Sequence, residues 1–212
     1  MAVFDLDGTL TWHDTLLPYL ALGLRRYPSH LLRLWRVPAI IAGFVADRDH
    51  GRIKGRMIHA VLGGASRAEL ARLTERFLDG SLARLTRPAA LAALARHRDA
   101  GDWLVLLSAS TDLYVPAIGA RLGFDEVLCT QLQWHGDRLD GRLASANLRG
   151  AEKRRCLEAL RRRYPQARIA AYGNSGADLE HLALSDAPLL VNASAAARRA
   201  ARRLGIACGD WG

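Results

Sequence analysis

Two aspartates near the N-terminus, Asp5 and Asp7, could do chemistry because they lie only two residues apart. They follow a short apolar run at residues 2–4, and Gly8 after them gives the backbone room to turn. Two carboxylates so close repel each other, so a shared proton or a cation must lie between them. A magnesium ion would meet that need, with one carboxylate as nucleophile and the other as acid and base. A turn capped by paired acids is the plainer interpretation.

Two other polar positions are typical of the same kind of site. Ser108 follows the apolar run at residues 103–107, and Asn174 follows a further short run at residues 168–172 and Gly173. In an open parallel sheet, reactive groups gather at the carboxyl ends of the strands. We therefore expect Ser108 and Asn174 to lie at the same edge as the aspartates, although serine after a strand is also common turn chemistry.

Lys153 is selected by composition as well as by position. Of the thirty basic residues, all but Lys54 and Lys153 are arginine. A lysine where arginine is the rule indicates that a compact ammonium is needed and not positive charge alone. The alternative is chance. Lys54 has no comparably clear role; it could contact substrate, but a solvated position on a helix is the preferred interpretation.

Strands and helices alternate in the sequence that must position these residues. This alternation predicts an α/β fold in which a Rossmann-like parallel sheet carries helices on both faces. The glycine at 136 and the aspartate at 137 indicate a hairpin within residues 132–143. The predicted strands are 2–6, 103–107, 126–130, 168–172 and 188–191, and the predicted helices are 88–99, 112–122, 151–163, 176–184 and 194–204.

Residues 14–85 have a different pattern, with apolar residues recurring every three or four positions. We predict two or three helices within 14–46, then helices at 50–62 and 66–85, with Ser66 as N-cap and Glu69 as its capping-box partner. The chain therefore divides into a catalytic core, residues 1–13 and 86–212, and a small all-helical cap inserted after the first strand.

Composition narrows the function classes. The chain has 212 residues, half of them hydrophobic, and a formal charge of +9 spread over dispersed arginines. This charge favours anionic partners, but no basic strand interleaved with aromatics indicates nucleic-acid binding. Three cysteines without a paired spacing indicate free thiols and a cytoplasmic location, and no signal peptide or spanning segment is expected. No obligate protein partner is evident.

Four segments, taken in order, resemble the four motifs of the haloacid dehalogenase-like superfamily. They are residues 4–10 (Phe-Asp-Leu-Asp-Gly-Thr-Leu), Ser108 in residues 106–110, Lys153, and residues 173–178 (Gly-Asn-Ser-Gly-Ala-Asp). The resemblance covers nearly the whole chain. The helical insertion is similar to the cap of the phosphoserine-phosphatase-like branch, and the cap and tail also resemble phosphatidylglycerophosphatase C-type hydrolases.

The resemblance implies a phosphatase that works through an aspartyl-phosphate. Asp5 would attack phosphorus, and Asp7 would protonate the leaving oxygen and later deprotonate water. Ser108 would hydrogen-bond a phosphoryl oxygen, and Lys153 would neutralise charge. Mg²⁺ would be held by Asp5, the Asp7 carbonyl and the fourth motif, in which Asn174 replaces the usual acid and Asp178 supplies charge directly or through water.

Three residues are weaker candidates for substrate binding. Thr9 would bond within its loop or near the phosphate, with the two roles equally favoured. Asp14 lies where phosphoserine phosphatases carry a substrate-contacting Glu, although a helix N-cap is the preferred interpretation. Arg56 falls near the cap arginine that grips a substrate carboxylate, and a surface arginine is its alternative.

The substrate class stays open at this point. A small phosphorylated metabolite such as phosphoserine comes first. A lipid phosphate comes second, because residues 31–46 could lie on an anionic membrane surface, although a buried cap core is the preferred interpretation. A catalytically weakened binding module is the remaining alternative, and the intact Asp5, Asp7, Ser108 and Lys153 argue against it.

Overall fold

The computed structural model describes residues 1–26 and 49–212. Most of the predicted helical region 14–46, including the candidate membrane segment 31–46, therefore lies outside the described residues. Within the described ranges, no helix has the length and apolar character needed to cross a bilayer.

Eight strands are described, of which six form one parallel sheet and two form a separate antiparallel hairpin. The order in the sheet, from one edge to the other, is β3-β2-β1-β6-β7-β8. The strands are β1 (Ala2–Phe4), β2 (Leu104–Thr111), β3 (Glu126–Thr130), the hairpin strands β4 (Leu132–His135) and β5 (Arg138–Leu143), and then β6 (Ala170–Gly173), β7 (Ala187–Val191) and β8 (Ala207–Gly209).

Helices cover both faces of this sheet, as the alternation in the sequence predicts. Alternate residues of β1 point to opposite faces: Phe4 joins one buried cluster with Leu106, while Val3 joins the other with Leu107. The helices are α1 (Leu16–Arg26), α2 (His50–Leu62), α3 (Arg67–Phe77), α4 (Ala83–Leu85), α5 (Pro88–Asp99), α6 (Val115–Leu122), α7 (Ala151–Arg163), α8 (Leu179–Leu182) and α9 (Ala195–Arg203).

The fold confirms the predicted parallel sheet and several element bounds. Helices α2, α5 and α7 and strand β3 match their predicted ranges, and Ser66 and Glu69 form the expected capping box. The strand at 207–209 was not predicted, because three residues of sequence Ala-Cys-Gly carry no strand pattern. Strand β2 continues past Ser108 to Thr111, so Ser108 lies inside the strand and not after it.

The hairpin packs on helix α2, so the region beside the site is not built from helices alone. The backbones approach closely through two glycines: a Cβ on Gly55 would lie 3.2 Å from the Gly141 oxygen, and one on Gly141 would lie 2.7 Å from the His59 nitrogen. Gly141 also has a φ of +94°, which side-chain-bearing residues rarely adopt. The division into core and cap at residues 14 and 85 stays a prediction.

Candidate active site

Asp5 follows the central strand of the sheet, and the chain then turns sharply. The Asp5 amide donates to the Tyr172 oxygen on β6 at 3.0 Å, which extends the β1 pairing by one residue. Gly8 has a φ of +80°, and a Cβ there would lie 1.9 Å from Nδ2 of Asn174. Gly8 is therefore required both by its backbone conformation and by the Asn174 amide packed against it.

Lys153, near the start of α7, links two carboxylates at the base of the site. Its Nζ donates to Oδ1 of Asp5 at 2.6 Å and to Oδ1 of Asp178 at 2.7 Å. All three side chains are buried. A buried ammonium shared by two buried carboxylates is an arrangement that keeps each ion satisfied. The structure thus brings together three residues that lie far apart in the sequence.

Burial and the contacts of Lys153 with the two carboxylates shift the pKa values of all three side chains. Burial raises the pKa of Asp5 to about 7, while Lys153 opposes that rise. Burial also disfavours the charged form of Asp178, but Lys153 and then His181 hold its pKa well below the usual range. For Lys153, burial works against the ammonium, and the two carboxylates outweigh it and raise its pKa. Lys153 is therefore protonated at neutral pH.

Asp7 lies in a separate ring of hydrogen-bond donors. Its Oδ1 accepts from both the amide and the hydroxyl of Thr15 at 2.7 Å, and its Oδ2 accepts from Oγ of Ser110 at 2.5 Å. Burial, followed by the charge of Asp14, raises the pKa of Asp7 despite these donors. A carboxyl held in place with a raised pKa suits a group that gives and takes a proton near neutral pH.

Ser108 is fully buried, and its neighbours Ala109 and Ser110 line the cavity instead. The pairing of β2 with β3 shifts register between Ser108 and Thr111, and Oγ of Ser108 accepts from the Ser110 amide at 3.0 Å. The register shift turns Ser110 toward Asp7. A direct contact between Ser108 and substrate stays a prediction, and Ser110 is a site residue that the sequence pattern did not single out.

Asp5, Asp7 and Asn174 line one cavity, and their oxygens are of the type that Mg²⁺ prefers. Within the described ranges no group of three His, Cys, Asp or Glu side chains is arranged for a metal, so the predicted magnesium site stays a prediction. Oδ2 of Asp178 accepts from Oγ of Ser175 at 2.6 Å, and its Oδ1 is bonded to Lys153. Direct ligation by Asp178 stays a prediction.

Thr9 and Asp14 make bonds within their own segment. Thr9 Oγ1 donates to Oδ2 of Asp5 at 2.8 Å, and this buried contact orients the carboxylate. Asp14 Oδ1 accepts from the amides of Leu16 and Leu17. Asp14 therefore caps the start of α1, which is the preferred interpretation of this residue in the sequence. Asp14 also lines the cavity above Asp5 and Asp7.

That cavity has a volume of about 560 Å³, and Lys54 of α2 lines it while Arg56 does not. Arg56 is exposed and faces a separate groove between α2 and the hairpin. Lys54 therefore lies in the cavity and not at a solvated position, whereas Arg56 lies at the surface, the alternative interpretation of that residue; substrate contact by either residue stays a prediction. Both are on α2, and the helical rotation between two positions accounts for the difference.

Lys54 is held in the cavity by neutral acceptors. Its Nζ donates to the Ala109 oxygen at 2.5 Å and to Oδ1 of Asn147 at 2.8 Å. The Ala109 oxygen lies within the register shift of β2 and also accepts from Oγ1 of Thr130 at 2.8 Å. Burial lowers the pKa of Lys54 to about 8. Among the described residues no carboxylate forms an ion pair with Lys54, although the charges of Asp7 and Asp14 favour its ammonium form.

Comparison with known proteins agrees with the fold and the motifs. The family model for haloacid dehalogenase-like hydrolases matches residues 2–183. Protein CicA of Caulobacter vibrioides is 35% identical over 190 residues, which cover 88% of this chain and 83% of CicA.

Two solved structures show the same fold. A protein of unknown function from Bordetella pertussis superposes with a TM-score of 0.83 at 22% identity, covering 100% of this chain and 98% of that one. A substrate-bound phosphoserine phosphatase superposes with a TM-score of 0.66 at 14% identity, covering 98% of this chain and 90% of that one. With the family model matched across most of its length, the chain belongs to the haloacid dehalogenase-like hydrolase family.

Proposed function

We propose that this chain is a Mg²⁺-dependent phosphatase that hydrolyses a phosphomonoester through an aspartyl-phosphate on Asp5. The observation that carries the proposal is the convergence of Asp5, Asp7 and Lys153 on one cavity. The structural likeness to phosphoserine phosphatases supports the reaction class.

The residues divide the reaction between them. A carboxylate oxygen of Asp5 attacks phosphorus as the bond from phosphorus to the leaving oxygen breaks, and Asp7 gives its proton to that oxygen. Asp7 then takes a proton from water, which attacks phosphorus and releases phosphate and the Asp5 carboxylate. Lys153 offsets negative charge beside Asp5 throughout, and the hydroxyls of Thr9 and Ser110 keep the two carboxylates in place.

A magnesium ion would be held by Asp5, the Asp7 carbonyl and Asn174. When bound, it would neutralise charge on the phosphoryl oxygens. The neutral amide of Asn174 gives this set one carboxylate fewer than an aspartate would, which predicts modest affinity.

The cavity supports a small phosphorylated metabolite as substrate. Lys54 lines this cavity with neutral oxygens as its hydrogen-bond acceptors among the described residues, and we assign to it a second anionic group of the substrate. The side chains of Trp12, Leu17 and Met57 give the same cavity an apolar part. All three cysteines are free thiols, which supports the proposal of a reducing, cytoplasmic setting.

The test is hydrolysis of p-nitrophenyl phosphate with and without Mg²⁺, in the wild type and in Asp5→Asn. We expect activity that needs Mg²⁺ and is lost in the variant, with ³²P from a labelled substrate trapped on Asp5 in the wild type alone. Equal activity in the two proteins would disprove the role of Asp5. A panel containing phosphoserine and phosphatidylglycerophosphate then separates the metabolite from the lipid alternative, for which residues 31–46 lie outside the described structure.

A further inference from the structure

Asn192 has an unusual backbone conformation directly behind the site. Among the described residues it is the one non-glycine residue with a positive φ, +52°. Asparagine tolerates this region better than most residues, but the conformation still costs free energy that nearby contacts must offset. The contacts that Asn192 makes therefore indicate which part of the structure this backbone conformation stabilises.

The side chain of Asn192 connects the loop that carries the aspartates to residues 209–212, which we call the strap. Its Oδ1 accepts from the Trp211 amide at 2.8 Å, and its Nδ2 donates to the Gly8 oxygen at 3.5 Å. The Asn192 amide donates to the Gly209 oxygen at 3.1 Å. One amide side chain thus spans the strap and the residue that follows Asp7.

Arg87 makes the second connection between the same two segments. It is buried, at 7% exposure, and no described carboxylate forms an ion pair with it. Its Nε donates to the Thr11 oxygen at 3.2 Å, its NH1 donates to the Gly212 oxygen, and its guanidinium lies 4.2 Å from the centre of the Trp12 ring. A guanidinium used in this way orders backbone and aromatic groups.

The strap itself is held against the sheet by two further contacts. The Trp211 ring lies 5.4 Å from the Tyr172 ring on β6, two residues before Asn174. Asp210 pairs with Arg198 of α9. The strap is therefore held to β6 and α9 by contacts that do not involve residues 5–12. It can for that reason keep residues 5–12 in a fixed position.

We propose that Asn192 and Arg87 are positioning residues that hold the loop at residues 5–12 against the strap, Asn192 at the middle of the loop and Arg87 at its end. Asn192 sets Gly8, and through it the carbonyl and carboxylate of Asp7. Arg87 sets Trp12, which lines the substrate cavity. Because Gly8 is already packed against Asn174, a small shift at Gly8 has no room to relax locally. The inference rests on the proposed function only where activity is the readout.

The kinetic test compares variants that remove one contact at a time. Asn192→Asp keeps the acceptor for Trp211 but loses the donor to Gly8, and Asn192→Gly suits the positive φ but loses both. We expect each to lower kcat for p-nitrophenyl phosphate about tenfold with KM little changed, because Asp7 is displaced. Arg87→Met is expected to raise KM more than it lowers kcat, because it releases Trp12. Arg199→Met, on the exposed face of α9, is the control.

A second readout does not depend on activity. Hydrogen exchange measured by mass spectrometry should be about tenfold faster in the peptide covering residues 5–12 of Asn192→Asp and Arg87→Met, with β7 unchanged. Wild-type exchange in that peptide would overturn the proposal, and so would an unchanged kcat in both Asn192 variants well below their melting temperatures. If the wild type and Asp5→Asn hydrolyse the substrate equally, the proposed function fails, and the exchange result alone decides the role of the strap.

Discussion

Nζ of Lys153 lies 2.6 Å from Oδ1 of Asp5, and both side chains are shielded from solvent. The ammonium also reaches Asp178, so its removal leaves two buried carboxylates without a counter-ion. This contact gives Lys153 a structural role beside the catalytic role that we propose for it. The two roles are separable by experiment.

Lys153→Met is expected to lower kcat by at least about a hundredfold, because charge beside Asp5 is no longer offset. It should also lower the free energy of unfolding by about 3 to 5 kcal/mol, the usual result of removing one partner from a buried ion pair. Urea unfolding and steady-state kinetics measure the two effects. The control is Arg161→Met, whose half-exposed pair with Asp186 should change stability by less than about 1 kcal/mol.

Asp7→Asn should show a dependence on the leaving group. An amide cannot protonate a departing alkoxide, so hydrolysis of an alkyl phosphate should fall by about 10² to 10⁴. p-Nitrophenolate leaves without a proton, so the formation of the aspartyl-phosphate from that substrate should fall much less. Single-turnover measurements on both substrates test this. An equal loss on both would contradict the role of Asp7 as the acid.

Lys54 should give the reaction a pH limit near 8. Its ammonium is charged below its lowered pKa of about 8 and neutral above it, so KM for a substrate with a second anionic group should rise as the pH passes 8. Lys54→Arg should abolish that rise, because a guanidinium stays charged. The measurement is the pH profile of KM for phosphoserine.

Lys54→Met, compared with Arg56→Met, decides which cation of α2 contacts substrate. We expect Lys54→Met to raise KM about tenfold at pH 7, the loss of roughly one charge-assisted hydrogen bond. Arg56→Met should leave KM within a factor of about two, because its side chain faces the neighbouring groove. The reverse result would restore the sequence-based assignment of Arg56.

Asn174→Asp is expected to strengthen magnesium binding. The added carboxylate should lower the Mg²⁺ concentration for half-maximal activity by about tenfold. Without the ion, the same carboxylate adds repulsion beside Asp5, so the variant should melt at a lower temperature than the wild type and gain more from Mg²⁺. Calorimetric titration and melting curves measure both. Unchanged affinity would place Asn174 outside the metal site.

Local sequence signals predicted the elements that depend on local physics. The capping box at Ser66 and Glu69, helix α2 and strand β3 follow from spacing and propensity. These elements need no information about distant parts of the chain. The pairing of Asp5 with Lys153 is different, because the resemblance to the haloacid dehalogenase-like superfamily implied it and no local pattern did.

The remaining features depend on contacts that no local pattern encodes. Ser110 faces Asp7 because β2 shifts register after Ser108, and that shift depends on the partner strand. Lys54 lies in the cavity because Asn147 and the Ala109 oxygen receive it across the fold. The one signal for Lys54 in the sequence is its rarity, because it is one of two lysines in an arginine-rich chain. The same rarity marks Lys153.

The central place of β1 has a consequence for the order in which the molecule is made. Ala2 pairs with Leu104 on one side and with Ala170 on the other. The strand that leads to Asp5 is therefore synthesised 102 residues before one of its neighbours and 168 residues before the other. Asp5 is likewise made well before Lys153, whose side chain pairs with it in the folded chain. The surroundings of Asp5 are complete only when β6 and the helix that carries Lys153 have packed beside the first strand.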